Sequence, residues 1–152
     1  MSFRITGLSA HPFAHLFGLD DDALARHGAQ RFHGAGLPDR IELRDTIAGE
    51  TALLINHEHQ PAETPYRSRH AIFVREHAGP SFDATGTVPA ALRSRLLSLR
   101  AFDAQHLMVD ADIADGSVIE PLIERLLARP DVAYVHAHFA RRGCYAALIR
   151  RA

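Results

Sequence analysis

Two histidines near the C-terminus have a spacing that could support chemistry. In the run Tyr134-Val-His136-Ala-His138-Phe139, a β-strand would place His136 and His138 on one face. Two imidazoles on one face can bind a divalent metal, zinc above all, if a third ligand comes from elsewhere in the chain. His138 is also a candidate general acid or base. The alternative is a half-exposed sheet face that holds no ligand.

The turn after this strand leads to Cys144 and Tyr145. A thiol becomes a nucleophile when a nearby imidazole lowers its pKa, so the hairpin register decides the role of Cys144. A three-residue loop, Arg141-Arg142-Gly143, would pair Ala140 with Cys144 and put the thiol on the face of the two histidines. A two-residue turn would put it on the opposite face. A type I turn followed by Gly favours the longer loop. The alternative is a buried cysteine packed as a small hydrophobe. Tyr145 is a candidate ligand contact.

A second polar segment runs from Asn56 to His70. His57 and His59 would point to one side of a strand, where either could supply a further zinc ligand. The loop after Pro61 is polar, aromatic and basic, which is typical of binding loops at a sheet edge. The candidate ligand contacts in this segment are His59, Tyr66 and Arg67, and His70 is a candidate acid or base. The alternative is a strand end with solvated histidines and an ordinary surface loop.

Arg100 interrupts the apolar run Leu96–Phe102. A guanidinium group in such a strand needs a carboxylate, water or a bound anion. Arg100 is therefore a candidate anion contact, and the alternative is a structural ion pair with Asp110 or Asp112 on the next strand. The chain has no Gly-rich phosphate loop, no His-Glu-x-x-His helix and no Gly-x-Ser-x-Gly elbow, so several large enzyme classes are not favoured.

The composition is that of an ordinary globular protein and sets few limits on function. The 152 residues fit one domain, 1–152, and 47% of them are hydrophobic. The net charge of −1 does not favour a nucleic-acid partner, although the basic residues are arginine throughout. A single cysteine excludes an intrachain disulfide. Without a signal-peptide pattern or an apolar run long enough to span a membrane, we expect a cytoplasmic protein with no membrane partner.

These candidate residues must be positioned by strands, because alternating and β-rich segments dominate the pattern. We expect an α+β fold, with a mainly antiparallel sheet of about seven strands and two or three helices packed on one face. The expected strands are 3–8, 40–44, 51–57, 69–76, 96–103, 107–113, 132–139 and 144–150. The expected helices are a turn near Pro12, a helix after Asp20–Asp22, a short one at 89–93 and the clearest one at 117–128, which begins after Asp115.

Three stretches of the chain resemble the bacterial family of uncharacterised proteins known as domain of unknown function 1203. They are His57–Glu76, Leu96–Asp103 and the closing run His136–Ala146. The similarity covers nearly the whole chain. It implies a stand-alone bacterial domain, and it carries no activity, cofactor or catalytic residue that could be transferred.

Three hypotheses follow. The first is a small-molecule enzyme or binding domain with a polar pocket for an anionic ligand. Its pocket would gather His59, Tyr66, Arg67, His70, Arg100, His136, His138, Cys144 and Tyr145, with Arg100 holding the anion and Cys144 as nucleophile or lining. The second is a non-catalytic interaction domain that forms a homodimer through a strand edge. The third is a zinc site on His136 and His138; no other cofactor is expected.

Overall fold

A computed structural model describes residues 2–152 and has nine strands and three α-helices. The strands are β1 (Phe3–Thr6), β2 (Gln30–His33), β3 (Thr51–Gln60), β4 (Ser68–Arg75), β5 (Asp83–Thr85), β6 (Leu96–Phe102), β7 (Met108–Asp115), β8 (Tyr134–Phe139) and β9 (Tyr145–Arg151). The helices are α1 (Asp21–Arg26), α2 (Ala90–Arg93) and α3 (Glu120–Ala128), and His11–Leu16 and Gly116–Val118 form 3-10 turns. The α+β class and the antiparallel pairing of the strands are confirmed.

The strands form two sheets instead of one. A six-stranded sheet has the order β5-β1-β9-β8-β6-β7, and a three-stranded sheet has the order β2-β3-β4. The short strands β2 and β5 were not predicted from the sequence; they add to the edges of the two sheets. Within residues 2–152, no helix combines the length and apolar composition needed to cross a membrane.

One face of the six-stranded sheet packs against α2 and α3. Alternate residues of β6 and β8, such as Leu99 and Val135, point into this core together with Ile123 and Leu126 of α3. The helix begins where Asp115 caps the preceding 3-10 turn by accepting a hydrogen bond from Ser117 N at 2.9 Å. Period-two strands and a period-3.6 helix thus bury their apolar faces against each other.

The three-stranded sheet has a second core of its own. Leu53 and Ile72 of β3 and β4 pack against Phe13 and Leu16 of the first 3-10 turn and against Leu24 of α1. Asp20 caps α1 by accepting a hydrogen bond from Ala23 N at 2.7 Å. The opposite face of this sheet, with Phe32, Asn56 and Arg69, is largely exposed, and His57 on the packed face contacts both Phe13 and, in the larger sheet, Tyr145.

The predicted strand at 40–44 is wrong. This segment is a tight loop with only isolated bridges, Pro38 to Asp45 and Asp39 to Phe73. Its alternating pattern reflects burial of Ile41 and Leu43 in a loop, where Leu43 has a φ of 54°. The carboxylate of Asp39 accepts hydrogen bonds from Glu42 N at 2.6 Å and Arg75 N at 2.8 Å, which bends the chain.

Candidate functional site

The inner face of the six-stranded sheet carries a band of polar and aromatic side chains. Cross-strand pairing sets Arg100 of β6 beside His136 of β8, Ser98 beside His138 and Phe102 beside Tyr134. The neighbouring residues on these strands, including Leu99 and Val135, point to the opposite face and the helical core. Period-two alternation therefore places all the polar groups of β6 and β8 on one surface, as the sequence pattern predicted for His136 and His138.

Strand β9 completes this surface through a β-bulge. Ala137 pairs with Ala147 but His138 pairs with Tyr145, so Ala146 is the extra residue. A bulge shifts the alternation of side chains by one position. As a result Tyr145 and Leu148, which are an odd number of residues apart, both lie on the polar face.

The three-stranded sheet brings His59 onto the band from the other side. The ring of His59 stacks on that of Tyr145, with centroids 5.6 Å apart and planes 9° from parallel, and meets the ring of His138 edge-on at 4.9 Å. The centroid distance from His59 to His136 is 6.3 Å. His59 is itself the extra residue of a bulge between Glu58 and Gln60. The bulge allows His59 and the next residue, Gln60, both to reach the other sheet.

A cleft of about 420 Å³ opens where the two sheets meet. Such a volume lies within the usual range for small-molecule sites. Its lining combines rings, apolar groups and one permanently charged side chain. The lining residues are His59, Gln60, Pro61, Ala62, His106, Tyr134, His136, Tyr145, Leu148 and Arg150.

Hydrogen bonds fix the protonation pattern of the rings. Nδ1 of His138 lies 2.9 Å from the carbonyl oxygen of Gly143, which can only accept, so Nδ1 carries the proton and Nε2 is a free acceptor. Nδ1 of His59 and Nδ1 of His136 are buried without a partner. Because a buried N–H without an acceptor is costly, we place the proton of these two rings on Nε2.

Burial keeps the three imidazoles neutral. It lowers the pKa of His136 and the pKa of His138 to about 3, and lowers the pKa of His59 to about 4. The positive charge of Arg100 acts in the same direction on all three pKa values. Burial also raises the pKa of the Tyr145 hydroxyl. Near pH 7 the band is therefore uncharged apart from its arginines.

Arg100 has no acidic partner within residues 2–152. Its Nε donates to Ser98 Oγ at 3.3 Å, and burial lowers its pKa without any opposing carboxylate. The predicted alternative, an ion pair with Asp110 or Asp112, is wrong. Both aspartates sit opposite core-facing residues of β6 and therefore point to the helical side of the sheet. There they bind arginines of or next to α3: Asp110 binds Arg125 and Arg129 at 3.1 Å, and Asp112 binds Arg125 at 3.0 Å.

Arg150 supplies a second positive charge on the other side of His136. It is exposed and lines the cleft. Burial lowers the pKa of His136 and the charge of Arg150 adds to this effect, whereas burial raises the pKa values of Tyr134 and Tyr145 and the same charge opposes it. The two guanidinium groups thus flank β8, one from β6 and the other from β9. An electrostatic field of this sign attracts anions.

The predicted position of Cys144 with the histidines is wrong. The hairpin loop has four residues, Ala140–Gly143, because Gly143 N donates to Phe139 O at 2.8 Å and Phe139 N donates to Cys144 O at 2.9 Å. Cys144 therefore pairs with Phe139 and points into the helical core. There its Sγ accepts a hydrogen bond from Arg40 at 3.0 Å.

The loop between β3 and β4 contributes less than its composition suggests. The Tyr66 ring packs edge-on against Phe102 at 6.1 Å, at the rim of the band. Arg67 points away and forms an exposed ion pair with Glu58 at 3.1 Å. His70 is half-buried and pairs with His57 across β3 and β4, and its Nδ1 lies 3.0 Å from the carbonyl oxygen of Ala71.

The structure offers little support for a metal centre. Within residues 2–152, no group of three or more His, Cys, Asp or Glu side chains is arranged to hold a metal ion. A metal-bound imidazole donates its second N–H to a nearby acceptor. His138 has this contact, but Nδ1 of His59 and Nδ1 of His136 do not. Two adjacent arginines add repulsion for a cation.

Four groups of the site were not identified from the sequence. Tyr134 shares its strand face with His136, and this alternation was a usable signal. Gln60 Nε2 donates to the hydroxyl of Tyr134 at 2.9 Å, and that hydroxyl lies 2.7 Å from Nδ1 of His106. His106 lies in the turn after β6, and Arg150 reaches the cleft only through the bulge of β9, so neither had a local signal.

Fold and site together define an α+β protein in which two antiparallel sheets enclose a histidine-lined cleft. The chain belongs to the family of proteins of unknown function DUF1203, whose model matches residues 36–151. All the lining residues of the cleft fall within the matched range. No curated protein and no solved structure matches the chain.

Proposed function

We propose that this chain is a small-molecule-binding protein or enzyme whose cleft holds an anionic ligand between the two sheets. The observation that carries the proposal is Arg100, a half-buried guanidinium without an acidic partner in residues 2–152, set beside three neutral imidazoles. A buried charge is normally paired. An anion bound next to His136 would supply the missing opposite charge.

The rings give the ligand both donors and an acceptor. With the protons placed as above, Nε2 of His59 and Nε2 of His136 donate hydrogen bonds to the anion. Nε2 of His138, held in place by the contact of Nδ1 with Gly143 O, is a neutral hydrogen-bond acceptor beside them. Cys144 and Arg67 have no part in this proposal because they lie outside the cluster.

The test is a titration of the protein with acetate and with inorganic phosphate, followed through the ring resonances of the histidines by two-bond ¹H–¹⁵N correlation spectra. We expect at least one anion to shift the resonances of His59, His136 and His138. Arg100→Gln should weaken binding of that anion several-fold, because it removes the unpaired positive charge beside His136. Arg100→Lys should retain part of the affinity.

Arg142→Gln is the matched control, since Arg142 is exposed at the hairpin tip. Equal affinities of wild type and Arg100→Gln would contradict the proposal, as would shifts confined to residues outside the cleft.

Two rival functions would give different results. Saturation of the three rings by one equivalent of Zn²⁺ would favour a zinc site, and a dimer that covers the cleft would favour an interaction domain. A cytoplasmic location, which the single cysteine favours, and a bacterial source remain predictions.

A further inference from the structure

The cleft is lined mainly by flat and apolar surfaces. On the six-stranded sheet, the ring of His136 meets that of Tyr145 edge-on at 5.1 Å and that of Tyr134 at 5.2 Å, with Leu148 on the neighbouring strand. On the facing side are His59, Pro61 and Ala62. Aromatic rings bind other rings through offset stacked or edge-on contacts. A flat ligand would therefore match these walls better than a bulky saturated one.

The permanent charge of this lining is at one end. Among the ten lining residues, Arg150 alone has a permanently charged side chain, and no carboxylate forms a salt bridge with it within residues 2–152. Arg150 follows Ile149, which pairs with Val135, so its side chain lies beside Tyr134. A guanidinium group binds a carboxylate through two parallel hydrogen bonds. Charge and flat walls are thus a short distance apart.

The same end holds a constrained polar network. Gln60 Oε1 accepts a hydrogen bond from Ala62 N at 3.4 Å, which orients its Nε2 towards the Tyr134 hydroxyl. That hydroxyl then has its proton free for Nδ1 of His106. His106 has a φ of 64°, unusual for a residue with a side chain, and Asp103 holds its turn through Gln105 N and Leu107 N. Strain of this kind is often found at functional sites.

We propose that the ligand of this cleft is a small planar acid, an aromatic ring that carries a carboxylate. The carboxylate binds Arg150, and the ring lies between Leu148 and Pro61 against the edge of Tyr145. This inference rests on the proposed function and narrows it. Arg100 contributes the long-range charge, whereas Arg150 makes the direct contact. The oxygen of the Tyr134 hydroxyl can accept one more hydrogen bond, which a hydroxyl group on the ring of the ligand would donate.

Benzoate is the probe, and three compounds are its matched controls. Acetate has the charge without the ring, cyclohexanecarboxylate has a saturated ring, and benzamide has the flat ring without the charge. Isothermal titration of the full chain should give benzoate an affinity at least ten-fold above that of each control. Arg150→Gln should lower the affinity for benzoate about ten-fold, and Arg142→Gln should leave it unchanged. Leu148→Trp should exclude benzoate and still admit acetate.

The outcomes separate this inference from the proposed function. If cyclohexanecarboxylate or acetate binds as well as benzoate, the planar-acid inference is wrong and the anion site stands. If benzamide binds as well as benzoate, the role given to Arg150 is wrong. If neither benzoate, acetate nor inorganic phosphate binds in the cleft, both proposals fail together. Circular dichroism of each variant must first show the wild-type fold.

Discussion

Arg40 is a single buried residue that joins the loop after β2 to the start of β9. Its guanidinium donates to Tyr145 O at 2.8 Å and to Cys144 Sγ at 3.0 Å, and it binds Pro38 O as well. Burial lowers its pKa to about 10, so it stays charged at neutral pH. The group also lies over the Phe139 ring, 4.7 Å from its centroid. These contacts hold Tyr145 at the edge of the cleft.

We expect Arg40→Ala to lower the free energy of unfolding by about 2–4 kcal/mol, because it leaves buried carbonyl groups without donors and removes packing against Phe139. Urea denaturation at pH 7.5 measures this change. Arg142→Ala, at the exposed hairpin tip, should change stability by less than about 0.5 kcal/mol. Equal effects of the two substitutions would show that the buried contacts of Arg40 do not stabilise the fold.

At the scale of elements, two glycines show how turns and packing limit the strands. Gly143 has a φ of 77° in the loop that leads to β9, and a Cβ there would meet nothing within 4 Å. Gly116, next to β7, has an ordinary φ, but a Cβ would lie 1.8 Å from Leu92 O and 2.8 Å from Arg95 O. At Gly143 a side chain is therefore limited by the backbone conformation, and at Gly116 it is limited by the space available.

The two alanine substitutions at these glycines should therefore differ. Gly143→Ala adds only conformational strain, about 1 kcal/mol. Gly116→Ala forces α2 away from the end of β7 and should cost about 3 kcal/mol or more, since the clashing atoms belong to the backbone and cannot rotate away. Thermal unfolding of both variants provides the comparison. A smaller loss for Gly116→Ala than for Gly143→Ala would refute the close approach of α2.

The same elements show how far the sequence could predict the site. Strict alternation in β8 was sufficient to put His136 and His138 on one face, and the apolar setting of Arg100 correctly marked it as a group in need of a partner. The role of Cys144 depended on one residue of loop length. Because Arg-Arg-Gly is compatible with loops of two, three or four residues, local sequence could not decide the register.

The rest of the site depends on contacts between distant segments. His59 reaches His138 only because the end of β3 packs against the polar face of the larger sheet, and both cleft bulges, at His59 and at Ala146, change which side chains share a surface. A bulge has no reliable signature in a single sequence, since any residue can be the extra one. The division into two sheets was missed for a similar reason: it depends on which strands pair, and alternation within a strand does not reveal its partner.

At the scale of the whole molecule, the neutral histidine cluster makes stability depend on pH. In the unfolded chain an imidazole titrates near 6.5, whereas burial lowers the pKa of His136 and of His138 to about 3 in the folded protein. Between these values the unfolded state binds more protons than the folded state, so protons favour unfolding. Hydrogen bonds from Arg31 lower the pKa of Glu76 to about 2, so Glu76 acts in the same direction below pH 4.5. Asp39, whose pKa burial raises, acts in the opposite direction.

Stability should therefore be fully present above about pH 6.5 and fall as the pH decreases from there towards 4, with each buried imidazole adding up to about 1.4 kcal/mol per pH unit. His138→Asn, which keeps a donor for the Gly143 carbonyl, should flatten this decrease by removing one titrating ring. His33→Asn, at an exposed histidine of β2, is the control and should leave the slope as it is. Urea denaturation at half-unit steps from pH 7.5 to 4.5 measures the slopes.

A free energy of unfolding that stays constant over this pH range would mean that the three rings accept protons while the protein stays folded. In that case the cluster is open to water and cannot hold the neutral donors and acceptor on which the anion site depends.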